Sequence, residues 1–174
     1  LVEGTGGGAN TSGYNQGVYV RNSGIITNAG TTAGATVTVK GFGGNPGATS
    51  GNDNLGVRVD SSGQITSSGG AVLVEGTGGG GASNFNHGVY LATAGVITSA
   101  ATDSGATVTV RGFGGNTTGT SGNVNYGVAV VDIDSSITSS GGAVLVEGTG
   151  GGAGSSVNNH GVYVGGKGTI TSSG

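Results

Sequence analysis

The sequence contains no cysteine and a single proline among its 174 residues. Without cysteine the chain can form no disulfide framework, no thiol nucleophile and no zinc site built on thiolates. The near absence of proline, with glycines that follow no three-residue period, excludes a collagen helix. No apolar run approaches the length that a membrane-spanning helix needs. The abundant residue is glycine, which occurs 44 times.

Charged side chains are scarce as well, at 7% of the residues, and the formal net charge is −3. Proteins that bind nucleic acid carry a basic surface, and this composition provides none, so we expect no nucleic-acid partner. Few large apolar residues are typical of disordered chains, but such chains usually also carry a high net charge that keeps them open. The composition is therefore compatible with a folded chain, and the order of the residues has to decide.

The order of the residues is a tandem repeat with a period of 72. The segment ITSSGGAVLVEGTGGG at 65–80 recurs without a change at 137–152, and LVEG begins at Leu1, Leu73 and Leu145. Halfway between stand TVKG at Thr38 and TVRG at Thr109. We predict a single repeat domain over residues 1–174, part of a longer solenoid, with super-repeats at 1–72, 73–144 and, in part, 145–174.

The repeated segments alternate apolar and other residues, which predicts short strands with one inward face. A segment of this kind, LVEG, TVKG or GVYV in type, recurs on average about every 18 residues, and a lone turn cannot bury its apolar pair. We predict an all-β parallel solenoid, or β-helix, without helices, of about ten coils of ~18 residues and roughly 48 Å in length. The alternative is about five coils of 36 residues. The predicted core stack is Val18, Val20, Val37, Val39, Val57, Val59, Val72, Val74, Val89, Leu91, Val108, Val110, Val128, Val130, Val144, Val146, Val162 and Val164.

Two further residue types recur in the predicted turns. An isoleucine follows each GVYV-type strand and predicts a second apolar anchor, at Ile26, Ile65, Ile97, Ile137 and Ile170. The glycine-rich stretches close with Asn-x-Gly, and both residues tolerate the left-handed backbone region. We therefore predict a fixed turn built on Asn15, Asn54, Asn86, Asn125 and Asn159.

Charge alternates at the position that follows the inward valine of the LVEG-, TVKG- and TVRG-type strands. With coils of 18 residues these positions lie above one another two coils, or ~9.6 Å, apart. Alternating signs replace repulsion along the rod by mild attraction. We predict a charge ladder formed by Glu3, Lys40, Glu75, Arg111 and Glu147.

An outward row of aromatic and leucine side chains is the candidate lateral interface. Contiguous exposed apolar residues usually mark a contact surface, so a neighbouring rod could pack there. The alternative is that the two leucines lean over the edge of their own strand. The row consists of Tyr19, Leu73, Tyr90, Leu145 and Tyr163.

No residue pattern predicts catalysis, a cofactor or a metal site. GTGGG and its counterpart GFGG recur at a fixed period and are followed by no helical pattern, which a phosphate-binding loop requires. His87 and His160 occupy equivalent Asn-His-Gly positions, which indicates a structural role. The recurrent carboxylates Glu3, Glu75 and Glu147 are too far apart for a catalytic pair. We therefore predict that the chain is not an enzyme.

The pattern GVYV…G.ITSSGG.V.VEGTGGG…N.HG, which covers the chain, resembles the glycine-rich passenger repeats of filamentous-haemagglutinin-like and autotransporter-type secreted bacterial adhesins. This resemblance implies a parallel β-helix, usually right-handed, that is secreted or carried on the bacterial surface and whose repeats hold no catalytic residues. We therefore expect a structural segment of an extracellular rod, stalk or matrix fibre that associates end to end and laterally. The alternative is an adhesin repeat that binds glycan or another surface through a repetitive face.

Overall fold

The computed structural model describes residues 1–44, 51–115 and 121–173, and every regular element within these ranges is a β-strand. The strands are short because each alternating segment is bounded by glycine, serine or asparagine, which favour turns. They are β1 (Val2–Thr5), β2 (Val18–Val20), β3 (Ile25–Asn28), β4 (Val37–Phe42), β5 (Val57–Val59), β6 (Gln64–Ser67), β7 (Val72–Thr77), β8 (Val89–Leu91), β9 (Val96–Ser99), β10 (Val108–Phe113), β11 (Val128–Val130), β12 (Ser136–Ser139), β13 (Val144–Thr149), β14 (Val162–Val164) and β15 (Thr169–Ser172).

The strands form three parallel sheets of five, and each coil contributes one strand to each sheet. Sheet A contains the LVEG-, TVKG- and TVRG-type strands in the order β1, β4, β7, β10, β13. Sheet B contains the GVYV-type strands β2, β5, β8, β11, β14, and sheet C contains the isoleucine strands β3, β6, β9, β12, β15. The chain is therefore a parallel β-solenoid without helices in the described residues, which confirms the predicted fold class.

The prediction of ten coils of about 18 residues is wrong. In sheet A, Val39 pairs with Val2 on one side and with Val74 on the other, at separations of 37 and 35 residues. The chain returns to sheet A four times, so one coil takes about 36 residues, as in the alternative, and five layers rise roughly 24 Å instead of 48 Å. The LVEG- and GVYV-type segments of one coil look alike because they form two walls that face the same core. The right-handed winding stays a prediction.

The core is a column of valine, leucine and isoleucine side chains from all three sheets. Side chains of this size stabilise a fold by about 1.5–3 kcal/mol each when they are fully buried. Val144 and Val146 are only partly buried, and Val162 and Val164 are 40% and 46% exposed, because the strands of the last layer pair on one side only. The buried members are Val18, Val20, Val37, Val39, Val57, Val59, Val72, Val74, Val89, Leu91, Val108, Val110, Val128 and Val130, with Ile65, Ile97 and Ile137.

The isoleucines predicted as turn anchors lie in strands, which corrects that prediction. Ile65, Ile97 and Ile137 are register partners in sheet C and close the third wall of the core. Two residues further on, an inward serine hydroxyl donates a hydrogen bond to a backbone carbonyl where the chain leaves sheet C, as from Ser99 to Gly70 at 2.8 Å. The third strand makes it possible to close a coil that two valine strands alone would leave open.

The glycine clusters allow sheets A and B to converge on one edge of the solenoid, which we call the glycine edge. A Cβ atom on Gly41 would lie 2.0 Å from the carbonyl oxygen of Gly56 in the same coil. A Cβ atom on Gly79 would lie 1.9 Å from the carbonyl oxygen of Gly44, one layer away. Because backbone meets backbone at these points, no side chain fits. GTGGG and GFGG are therefore packing elements of the coil.

Replacing Val74 by Asp tests the inward assignment. Val74 is fully buried between Val39 and Val110, so a carboxylate there has no partner. We expect the free energy of unfolding to fall by about 3–5 kcal/mol. The matched control is Leu73→Asp, whose side chain points outward from the same strand and should cost much less. Equal urea midpoints for the two variants would contradict the assignment.

Candidate interaction surfaces

The predicted charge ladder lies on the outer face of sheet A, with its members on adjacent strands. The predicted spacing of two coils is wrong, since Glu3 pairs in register with Lys40, and the sequence of partners continues through Glu75, Arg111 and Glu147. Their spacing is therefore that of neighbouring strands, ~4.8 Å. At that distance like charges would repel strongly, which explains why the alternation has no exception.

The ladder consists of ion pairs between layers. The Nζ atom of Lys40 lies 2.9 Å from Oε2 of Glu75, and Nε of Arg111 lies 2.6 Å from Oε2 of Glu147. A longer contact of 3.7 Å joins Nη1 of Arg111 to Oε1 of Glu75. The hydrogen bond to Glu75 and its charge raise the pKa of Lys40 above its ordinary value. These pairs are largely exposed to solvent, so each adds little to stability. The register itself is set by the buried apolar residues on the other face of the strands.

Two further outward columns of sheet A flank the ladder, and both alternate between a large and a small side chain. We call the ladder and these two columns together the ladder face. Phe42 is 42% exposed, Phe113 51% and Leu145 46%, so these three side chains project into solvent, whereas Leu73 is partly buried. The columns are Thr38, Leu73, Thr109, Leu145 on one side and Thr5, Phe42, Thr77, Phe113, Thr149 on the other.

The row predicted as the lateral interface does not lie on one side of the molecule. Leu73 and Leu145 belong to the ladder face, whereas Tyr19, Tyr90 and Tyr163 lie on sheet B. The prediction joined them because coils of 18 residues would place LVEG- and GVYV-type strands on the same wall. The single stripe is therefore wrong, and the two sheets have to be considered separately.

The outer face of sheet B carries a continuous stack of rings. Arg58 lies between two tyrosines, with its guanidinium carbon 4.9 Å from the ring centroid of Tyr19 and 5.9 Å from that of Tyr90. The ring of His87 stacks on Tyr90 and on Tyr126 at centroid distances of 5.1 and 5.0 Å. Tyr126 continues the stack to Tyr163 at 4.9 Å and to His160 at 5.4 Å. Because the rings cover one another's faces, the stack stabilises the layers, at about 0.5–1.5 kcal/mol per pair.

An ion pair at the start of this stack escaped the sequence analysis. Arg58 donates from Nε to Oδ2 of Asp60 at 2.7 Å, and the hydroxyl of Tyr19 donates to the same oxygen at 3.0 Å. Asp60 is only 4% exposed. The signal was present in the sequence, since Arg58 and Asp60 are two residues apart at the end of a strand, and Arg58 is the one charged residue at the outward position of the GVYV-type strands.

The predicted turn asparagines form a buried column inside the glycine edge. The Oδ1 atom of Asn86 accepts the backbone N–H of Asn54 at 2.9 Å, and the Oδ1 atom of Asn125 accepts that of Asn86 at 2.8 Å. The same contact joins Asn15 to Asn54 and Asn125 to Asn159. The side-chain amides bond to the preceding loop, as from Asn86 to Ser83 Oγ at 2.7 Å. The column thus ties each loop to the layer beside it.

The residue before the asparagine, and not the asparagine itself, has the left-handed backbone conformation. The prediction that asparagine is needed here for its backbone conformation is therefore wrong. The φ angles are 61° at Tyr14 and Asp53, 59° at Phe85, 60° at Val124 and 57° at Asn158. These residues are of five different types, so the turn does not select them for backbone freedom. The asparagine is retained for its two hydrogen-bonding atoms, because an amide can accept from one layer while it donates within its own.

The described part of the chain brings few polar side chains together at one point, and the clearest group is Asp132, Asp134 and Lys167, which line one pocket. That part of the chain contains no group of three or more histidine, aspartate and glutamate side chains that could hold a metal ion. The described residues include no helix that is long and apolar enough to cross a lipid bilayer. No protein-family model matches the chain, nor does any curated protein or solved structure. The outer faces of sheets A and B are therefore the candidate functional surfaces.

Replacing Asn86 by Ala tests the asparagine column. The change removes the acceptor of the buried Asn54 N–H, and we expect a loss of about 1–3 kcal/mol in the free energy of unfolding. The matched control is Asn84→Ala, because Asn84 accepts the N–H of Asn123 at an exposed site where water can replace it. An equal loss in both variants, measured by urea unfolding, would show that burial of the column is unimportant.

The stability of the fold should depend on pH through His87. Burial, with a smaller effect of Arg58, lowers the pKa of His87 from 6.5 to about 4, and its Nδ1 accepts the N–H of Tyr126 at 3.0 Å. The unfolded chain takes up the proton first, so this contribution is complete above about pH 6.5 and is lost as the pH falls towards 4. The free energy of unfolding should be about 2–3 kcal/mol lower at about pH 4.5 than at pH 7.5.

His87→Leu is the control for this pH dependence, because Leu55 occupies the same position one layer earlier and is buried. The variant should lose most of the fall in stability between the two pH values. If the variant shows an unchanged pH dependence, the loss of stability at low pH arises from the carboxylates and the prediction for His87 is wrong.

Proposed function

We propose that the chain is a structural segment of an extracellular β-solenoid rod or filament. The observation that carries this proposal is the continuity of the layers, since each of the three sheets pairs in register through all five strands. Each layer buries the apolar face of the next and offers it the same contacts, which is how a solenoid extends. The extracellular location rests on the resemblance of the repeats to bacterial surface proteins.

The direction of the polar contacts also supports a scaffold. Charges of the ladder, amides of the asparagine column and rings of sheet B all contact the neighbouring layer along the rod. A catalytic or ligand site instead brings unlike polar groups together around one point. Among the described residues, the ladder charges and the asparagine amides are paired along the rod, and Asp132 and Asp134, which line one open pocket with Lys167, have no third acidic or histidine side chain beside them. We therefore propose no enzymatic role and no cofactor.

End-to-end association is part of this proposal, and the charge ladder sets a condition on it. Ladder residues on neighbouring layers must have opposite charges to attract each other. In this segment both the first and the last ladder residue are glutamates, Glu3 and Glu147. In-register stacking of two segments would bury Val162 and Val164 and would place these two glutamates on neighbouring strands. A following layer of the TVKG type would bring a cation to that position.

The alternative function is that of an adhesin repeat that binds glycan. The best candidate surface for it is the ring stack of sheet B, because the outward residues there do not repeat exactly every 72 residues. Sugars usually pack on free aromatic faces, whereas the rings here lie against one another. The glycan alternative therefore rests on the resemblance of the repeats. Binding of the chain to a glycan array, abolished by Tyr163→Ala, would favour it over the rod.

Insertion of repeats tests the rod proposal. A second copy of residues 73–144 placed after residue 144 adds two layers and keeps the alternation of the ladder. We expect the particle to lengthen by ~9.6 Å in small-angle X-ray scattering and to unfold at a higher temperature, because more layers are covered on both sides. A compact particle of unchanged length would refute the proposal.

The matched control inserts a second copy of residues 109–144 alone. It adds one layer and brings two copies of Arg111 onto adjacent strands. This chain should lengthen by ~4.8 Å but be less stable than the chain with two added layers, with a difference that shrinks at high salt.

A further inference from the structure

We propose that the ladder face binds the ladder face of a second copy of this chain, with the two solenoids antiparallel and displaced so that unlike layers face each other. The inference deepens the rod proposal by naming the face and the partner of lateral association. It concerns the outer face of sheet A, whereas the extension of the rod depends on the stacking of layers, so either can fail without the other.

The three outward columns of sheet A change together from layer to layer. A layer such as β7 presents Leu73, Glu75 and Thr77, and the next layer, β10, presents Thr109 and Arg111 with Phe113 at the end. In the first kind of layer the large apolar side chain precedes an anion, and in the second kind it follows a cation. Two kinds of layer therefore alternate on this face. The sign of the charge and the position of the projecting side chain both change from one layer to the next.

A two-fold axis parallel to the strands and passing between two layers makes this pattern complementary to itself. Each column then faces the same column of the second copy with the order of layers reversed, so layers of one kind face layers of the other kind. Glu75 lies opposite Arg111 of the second copy, and Phe113 lies opposite Thr77 of the second copy. Charges and projecting side chains are matched in all three columns at once.

Other symmetric arrangements oppose like with like. An axis that passes through a layer places anion on anion and phenylalanine on phenylalanine. An axis along the rod places each ladder residue opposite its own copy at the same height. Like charges across an interface disfavour association, so the axis between layers is selected, and it gives a closed pair because a two-fold contact uses the same patch on both copies.

The ladder face is open to such a contact. In layers that are covered on both sides, the side chains of Lys40 and Arg111 are 39% and 43% exposed, and Phe42 and Phe113 are 42% and 51% exposed. From Lys40 to Glu147 each ladder charge already has a counterion in its own chain. Contact with a second copy adds a further counterion and leaves no buried charge without a partner, which is the condition that a charged interface must meet.

The size of the face indicates a weak pair that strengthens with length. Four overlapping layers at ~4.8 Å and three columns about 7 Å apart cover roughly 400 Å² on each copy. The total of roughly 800 Å² is below the ~1,200 Å² at which stable interfaces begin. In a rod with more layers the same contacts would recur along the length and add, as multivalent contacts do.

The first test fills a hollow of the ladder face. Thr77→Phe puts a ring where the phenylalanine of the second copy has to fit, and Thr98→Phe adds the same ring on the outer face of sheet C as the matched control. In sedimentation equilibrium of concentrated 174-residue chain, we expect a reversible dimer that Thr77→Phe weakens at least about tenfold and Thr98→Phe leaves unchanged. A chain that stays monomeric at millimolar concentration, or equal dimerisation of both variants, would overturn the proposal.

The second test inverts the sign of all five ladder residues, which keeps the alternation within the chain. The inverted chain should fold and should dimerise with itself as the original does. It should not pair with the original, because the displacement that matches the charges would then place Phe113 on Phe113 and Leu73 on Leu145. Fluorescence energy transfer between labelled copies measures this, and mixed pairs as abundant as the two like pairs would overturn the proposed register.

Discussion

The structure depends on one constraint, which is that each strand lies in register on the equivalent strand of the next layer at ~4.8 Å. Every side chain then has its own counterpart directly above and below. Valine and isoleucine satisfy this arrangement by packing, so they recur unchanged in the core. Like charges stacked directly above one another would repel. Glu3, Lys40 and Glu75 therefore alternate in sign, whereas Val39 stacks between two other valines, Val2 and Val74.

The glycine edge meets the same constraint through the backbone. The amide of Asn86 accepts from one layer and donates within its own loop, and the carbonyl of the same residue accepts the N–H of Gly115 at 2.7 Å. Glycine permits this contact because a Cβ atom on Gly115 would lie 2.2 Å from the carbonyl oxygen of Gly79. The asparagine column and the glycine clusters therefore act as one unit.

Sheet B shows how a solenoid tolerates variation. Its inward residues, such as Val57 and Val89, are as regular as those of sheet A. Its outward residue is a tyrosine in three layers, with Arg58 and Ala129 in the two layers between them. The layers remain compatible because planar groups stack, whether they are the guanidinium of Arg58 or the rings of Tyr90 and His87. Buried in this stack, His87 loses the freedom to take up a proton near neutral pH, so packing along the rod also sets its titration.

The alternation of apolar residues and the 72-residue period determine by themselves that the chain is a parallel β-solenoid, which residues face the core and which positions carry the ladder. Val74 and Arg111 occupy opposite faces of their strands as the pattern predicts, because side-chain alternation is a local property of a strand.

Only the tertiary structure decided which strands are neighbours. Inward valines such as Val20 and Val39 look alike in sequence although they lie on different walls, since both walls face the same apolar core. The sheet C isoleucine and the turn asparagine each recur about every 36 residues and stack on their own kind. The sequence indicates the coil length from them only when stacking like on like is assumed. The pairing of Arg58 with Asp60, the stacking of His87 and the shape of the ladder face depend on which strands lie side by side, and that arises from closing the coil with three walls.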